Sequence, residues 1–271
     1  MSLITVSQGI GSEGHRIAHQ VAAAIQLPLY DDSKLKEEAL AMGLHAEQLK
    51  GFDEKAPGFF DSILNRKPEI YLDLMQSVIF EVARRGEGVI VGHGSQVLLH
   101  DFDCALHVLI QSTMENRIRS LMDVQGLSRE AAARLIHKSD NEKEGFFQFA
   151  FHRDWNDPSL YDLCITTAKI GIEQASHLIV STARAPETKA CSLNAVLAME
   201  RLSQKKQIEA ALIERDIPLA LLHVEVPEKG VAHLSGAVAT EEDRRRIEAI
   251  TRAVSGISQV RMDVSVARAY F

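Results

Sequence analysis

Four short runs of apolar and β-branched residues punctuate the first two thirds of the chain: LITV at 3–6, GVIVG at 88–92, ALHVLI at 105–110 and LCIT at 163–166. Runs of this length bounded by turn residues read as buried strands. Between them, apolar residues recur at helical spacing over 15–26, 33–42, 69–85, 113–125, 128–138 and 172–182. Strands alternating with helices imply right-handed crossovers and a parallel sheet covered on both faces. Residues 1–182 are therefore expected to form one α/β three-layer domain.

After Ala183 the rhythm changes. ARAPETKACSLN at 183–194 lacks periodicity and reads as a linker leading into a connecting helix over 192–206. Beyond residue 203 the pattern predicts a helix (205–215), two strands (219–226 and 231–238) about the turn PEKG, a helix opening at Thr240, and a last strand (260–266). Thr240 with Asp243 three residues on resembles a capping box. The expected division is an α/β domain (1–182), a linker with its helix (183–202), and a small α+β domain of αββαβ order (203–271).

Composition bounds the function. The chain has 271 residues, 46% of them hydrophobic, with net charge −7, which argues against a broad nucleic-acid-binding surface while allowing a local basic pocket. No run approaches the roughly 18 apolar residues of a membrane span, and no basic leader precedes the first strand. Cys104, Cys164 and Cys191 are scattered without a C-x-x-C pair, so neither a disulfide framework nor a zinc site is expected, and a cytoplasmic location is. The eleven histidines are dispersed and show no H-E-x-x-H spacing, so no metal ligands are assigned.

The candidate chemistry lies in SQGIGSEGHRIAHQVA, residues 7–22, between the first strand and the first helix. A glycine-rich turn there aims backbone N–H groups and the positive helix end at one point, as phosphate-binding loops do. Gly9 and Gly14 fit G-x-x-x-x-G, but His15 and Arg16 stand where lysine and then serine or threonine complete the pattern. A plain strand-to-helix turn is the competing reading of the segment alone.

Four blocks in order resemble the cytidylate-kinase-like family of P-loop nucleoside monophosphate kinases: ITVSQGIGSEGHRIAHQVAAAIQLPLYDDSKL, GVIVGHGSQVLL, NRIRSLMDVQGLSREAAARLIHKSDNEK and RDWNDPSLYDLCITTAKIGIEQA. The resemblance implies a P-loop fold, ATP with Mg²⁺, and a nucleotide ligand held at Gly9, Gly11, Ser12, Glu13, Gly14, His15 and Arg16. It implies that Arg117, Lys138 and Arg153 act on the transferring phosphate, with Arg119, Arg134 and Lys143 as further cations of a closing lid. Asp31, Arg66 and His93 would face the acceptor; Asp31 equally fits a helix cap. Trp155 reads as a packing anchor, while Asp154, Asp157 and Asp162 fit either lid ordering or turn chemistry. The family's loop cation and the arginine of its G-R-G block are replaced by His15 and His93, which removes permanent positive charge at both phosphate positions.

Residues 203–268 resemble a BON domain through VEVPEKGVAHLSGAV, TEEDRRRIEAITRAV and GISQVRMDVSV. That resemblance implies a protein partner or self-association and brings no catalytic constellation. The whole reads as an ATP-dependent kinase acting on CMP or a related nucleotide. The alternative is a catalytically degenerate nucleotide or phosphate sensor acting through the BON-like part.

Overall fold

The computed structural model describes residues 3–44 and 68–266. These residues group into two compact units, one of 3–35 with 85–192, the other of 36–44 and 68–84 with 193–266.

The first unit is built on five parallel strands in the order β2–β3–β1–β4–β5. They are β1 (Leu3–Gln8), β2 (Leu29–Tyr30), β3 (Gly88–Val91), β4 (Ala105–Gln111) and β5 (Leu163–Thr166). β1 lies between β3 and β4, with Leu3 paired to Gly88 on one side and Ala105 on the other. Buried on both faces, such strands need no polar alternation, which is why LITV is continuously apolar apart from Thr5. Thr5 is fully buried and satisfies its hydroxyl on His107 Nδ1 at 2.8 Å.

α1 (Gly14–Ile25) packs Ile17, Ala18, Val21 and Ala22 against Ile4, Val6, Val89, Val91, Val108 and Ile110. Each large side chain buried this way contributes on the order of 1.5–3 kcal/mol. The unit continues through α4 (Ser95–Leu98), α5 (Met114–Gln125), α6 (Arg129–Phe151) and α7 (Thr167–Ala183). α2 (Asp32–Ala41) begins in this unit, and α3 (Pro68–Ala83) belongs to the other. Because the chain leaves β1 toward β2 and later crosses to β4, the strand order reverses at the carboxyl end of β1, the place where open α/β sheets form ligand crevices.

The second unit joins α3 to α8 (Leu193–Glu214) and a three-stranded sheet of β6 (Leu222–Glu228), β7 (Val231–Val238) and β8 (Gln259–Val266). β6 and β7 run antiparallel, β7 and β8 parallel, with α9 (Glu241–Ala253) as the crossover. Ile208, Leu212, Val224, Leu234, Ile247 and Val264 form the core. Along α3, Ser203 Oγ donates to the Ser77 carbonyl at 2.8 Å and Lys206 Nζ lies 2.9 Å from Asp73 Oδ1. Burial pushes the Asp73 carboxyl up to about 6, against the pull of Lys206. Thr240 caps α9 by accepting from the Asp243 N–H at 3.0 Å, as its spacing predicts.

Several expectations are corrected. The expected helix over 128–138 runs on to Phe151, since Phe146 and Phe147 bury against the unit and carry the charged stretch before them. The expected helices 192–206 and 205–215 are one continuous helix, and α3 groups with it, which a division of the chain at 182 and 203 does not anticipate. The helix expected over 172–182 starts earlier and breaks at Gly171, whose φ of 73° interrupts its first turn. Cys104 and Cys191 form a disulfide across 87 residues, contrary to the expectation of unpaired thiols. Disulfides persist mainly in oxidising surroundings, so this pair weighs against the reducing environment inferred from cysteine count. Among the described residues no helix is long and apolar enough to cross a membrane.

Candidate phosphate-binding site

The loop between β1 and α1 forms one wall of a cavity of about 620 Å³ at the carboxyl end of the sheet. Gln8, Ile10, Gly11, Glu13, His15, Arg16, Asp31, Asp32, Gly92, Ser120, Lys138, Glu142 and Lys143 line it. Glu13 occupies the position before α1 with φ of 69° and gives the helix no side-chain cap. The N-terminus of this 12-residue helix thus carries no side-chain cap, an arrangement that suits an anion. Ser12 is fully buried, and its Oγ has no hydrogen-bond partner among the described residues.

The glycines have steric reasons. A Cβ at Gly11, where φ is 77°, would stand 2.7 Å from the Arg117 carbonyl oxygen, and one at Gly9 would meet the Arg117 guanidinium at 3.0 Å. At Gly14 a Cβ would strike Gln8 Oε1 at 2.5 Å. The loop is thus wrapped against α5 rather than loosely turned.

Arg117, expected to clamp phosphate, is instead the buried prop of that loop. Its Nε donates to the Ile10 carbonyl at 2.7 Å, while its two terminal nitrogens donate to Asp140 at 2.8 and 2.7 Å. A bidentate carboxylate partner neutralises the guanidinium and fixes α5 to α6.

Lys143 is the cation held at the carboxyl end of β1. It is buried, donates to the Gln8 carbonyl at 2.8 Å and to Ser7 Oγ at 3.3 Å, and lies 4.5 Å from the centre of the Trp155 ring. Trp155 is in turn fixed by Tyr161, whose hydroxyl donates to the Trp155 carbonyl at 2.6 Å. Burial pushes the Tyr161 hydroxyl up to about 12, so it keeps the proton it donates. Lys138 lines the cavity at its exposed edge, 3.6 Å from Glu142.

The remaining expected residues divide. Asp31 Oδ1 accepts from the Lys34 N–H at 3.0 Å, as a helix cap does, and the residue also lines the cavity. His93 is buried with φ of 55° and pairs through Nε2 with Asp32 at 2.8 Å, so it reaches the cavity only through that carboxylate. Arg119 lines a separate, shallower cavity with Gly11, Asn116 and Thr167. Arg153 is exposed and does not line the main cavity. Arg66 lies outside the described residues.

Two features escaped sequence reading. Glu13 brings a carboxylate into the loop, bound by the Ser120 hydroxyl and by Arg16 at 3.1 Å. His15 and His19, one helical turn apart, come together with Asp31. The i, i+4 spacing of the histidines was legible; the approach of Asp31 depends on the fold.

Comparison with known proteins agrees with this architecture. Residues 3–169 match the model of the cytidylate kinase-like family, and residues 203–268 match that of the BON domain. A cytidylate kinase from Pyrobaculum islandicum is 25% identical over 180 residues, covering 66% of this chain and 90% of the relative. The cytidylate kinase of Pyrobaculum aerophilum is 24% identical over 179 residues, with the same coverage of 66% and 90%. Among solved structures, an uncharacterized protein from Eubacterium ventriosum superposes with a TM-score of 0.50 at 20% identity, covering 68% of this chain and 99% of that one. A shikimate kinase from Acinetobacter baumannii gives a TM-score of 0.40 at 10% identity, covering 68% and 96%. With five parallel strands, a glycine loop wrapped on Arg117 and a family match over well over half its length, the chain belongs to the cytidylate kinase-like family.

Proposed function

We propose that the protein is a nucleoside-monophosphate-kinase-like phosphotransferase that moves the γ-phosphoryl group of ATP to CMP or a related nucleotide. The observation that carries this reading is the N-terminus of α1, which has no side-chain cap, at the end of a glycine loop lining a cavity with Lys138 and Lys143, next to a buried Ser12 hydroxyl with no hydrogen-bond partner among the described residues. An acceptor phosphate oxygen bonds to the γ-phosphorus as the bond from that phosphorus to the β,γ-bridging oxygen breaks. The products are ADP and a nucleoside diphosphate.

In this reaction the loop amides and Ser12 hold the donor phosphates, Lys143 and Lys138 offset charge spreading over the moving group, and Arg117 keeps the loop in shape. The residues fit a phosphate chain well. For Mg²⁺ they fit less closely, because Arg16 takes the position of the usual hydroxyl ligand, and the carboxylates of Glu13, Asp31, Asp32 and Glu142 are the oxygen groups that would hold it. Bound with the nucleotide, Mg²⁺ would supply positive charge that offsets that of the phosphates. The BON region is read as the part that engages a protein partner or a second copy of the chain.

A sensing role without transfer has two observations in its favour: Arg117 is neutralised by Asp140, and Glu13 adds an acidic group at the cavity wall. Both readings require nucleotide to occupy the cavity. Trp155 is the only tryptophan and sits against Lys143, so its fluorescence reports on the site. Titration with ATP is expected to give a saturable change that Gly11→Val abolishes, because the new side chain would be driven into the Arg117 backbone. An unchanged spectrum together with no retention of ATP in equilibrium dialysis would remove both readings.

A further inference from the structure

We propose that His15, His19 and Asp31 form a binding site for a borderline divalent transition-metal ion, Zn²⁺ foremost, on the wall of the phosphate cavity. One ligand atom from each of the three lies within 4.8 Å of the other two. A tetrahedral ion with bonds of about 2.0 Å needs ligand separations near ~3.3 Å, so small side-chain rotations complete the site.

The parts are suited to this. His15 and His19 project from one face of α1, their rings 4.7 Å apart and close to perpendicular, and exposed His19 can turn without disturbing the core. Asp31 approaches from the far side of the cavity mouth with Oδ1 tied to the Lys34 N–H, which orients the carboxylate and leaves Oδ2 for the ion. Two imidazole nitrogens and one carboxylate oxygen select Zn²⁺, Co²⁺ or Ni²⁺ over Mg²⁺ or Ca²⁺, which prefer all-oxygen shells. Three protein ligands leave a fourth position open for an exogenous oxygen, such as one from phosphate.

The placement has a chemical consequence. The charged residues lining the cavity are Glu13, Asp31, Asp32 and Glu142 against Arg16, Lys138 and Lys143, so the wall carries no excess of fixed positive charge. His15 stands where the family's loop cation would be, and an ion on it would return positive charge to that point. The role at phosphate rests on the function proposed above; the binding of metal does not, and is measured without nucleotide.

The test is equilibrium binding of Zn²⁺ to the full-length untagged chain, with Co²⁺ as an absorbing substitute. One equivalent is expected to bind, with visible Co²⁺ bands of a four- or five-coordinate ion. His15→Ala, His19→Ala and Asp31→Asn should each weaken binding by about 100-fold or more, while His137→Ala, on an exposed face of α6, should not. His19→Ala alters an exposed side chain, so its far-ultraviolet circular dichroism should match the parent and separate metal loss from unfolding. Binding that is unchanged in all three variants, or no binding at 100-fold molar excess of Zn²⁺, would overturn the proposal.

Discussion

Arg117→Met is expected to abolish nucleotide binding and to lower the stability of the first unit by about 3 kcal/mol. The side chain joins three elements at once: Nε holds the Ile10 carbonyl of the loop, the terminal nitrogens hold Asp140 on α6, and its own backbone closes against Gly11. Methionine keeps much of the volume and none of the donors. Asp140 then remains as a half-buried carboxylate without its cation, and the Ile10 carbonyl loses its partner. Removing one member of such a pair costs far more than the pair contributes, because the other charge stays out of water. Thermal unfolding should fall by roughly 6–12 °C for a unit of this size. The double change Arg117→Met with Asp140→Leu should regain much of the stability and none of the nucleotide affinity. A solvated helix charge at this position would give less than about 0.5 kcal/mol in either variant.

Gly236→Ala is expected to unfold or nearly unfold the second unit. Gly236 sits in β7 with φ of 130°, and an added Cβ would stand 2.0 Å from the Leu221 carbonyl oxygen. That oxygen is not free to retreat, since it accepts from the Ala237 N–H at 3.1 Å. Backbone strain of about 1–3 kcal/mol and overpacking of a similar size add to roughly 3–5 kcal/mol. That is a large part of the roughly 5–15 kcal/mol by which a domain is stable in total. Urea unfolding followed by circular dichroism should show loss of the second unit with the first retained. Gly126→Ala is the control: its φ is 67° but nothing lies within 4 Å, so a loss near 1 kcal/mol is expected.

The sequence displayed what local pattern encodes. Continuous apolar runs marked β1, β3, β4 and β5, and the Thr240–Asp243 spacing marked the start of α9. The glycine loop was visible because its glycines recur at fixed spacing after a strand. What it concealed depends on contacts between distant residues. β2 is two residues long and exists only because Leu29 and Tyr30 pair with Val89 and Ile90. The Cys104–Cys191 bond joins positions 87 apart that no spacing rule connects.

The roles of the cations were the least legible part. Arg117 and Lys143 look alike in a helical pattern, yet one is paired with the Asp140 carboxylate and the other donates to the Gln8 carbonyl at the end of β1. Their carboxylate and carbonyl partners lie 23 and 135 residues away. Asp31 was ambiguous between cap and ligand because it both accepts from the Lys34 N–H and lies close to His15 and His19, and the second depends on the fold.

Phosphoryl transfer itself is the most direct test. The purified chain, incubated with Mg²⁺, γ-labelled ATP and a panel of nucleoside monophosphates led by CMP, is expected to form one labelled nucleoside diphosphate for each ADP released. Failure to label any acceptor in the panel would contradict the transfer reading, even if ATP occupies the cavity.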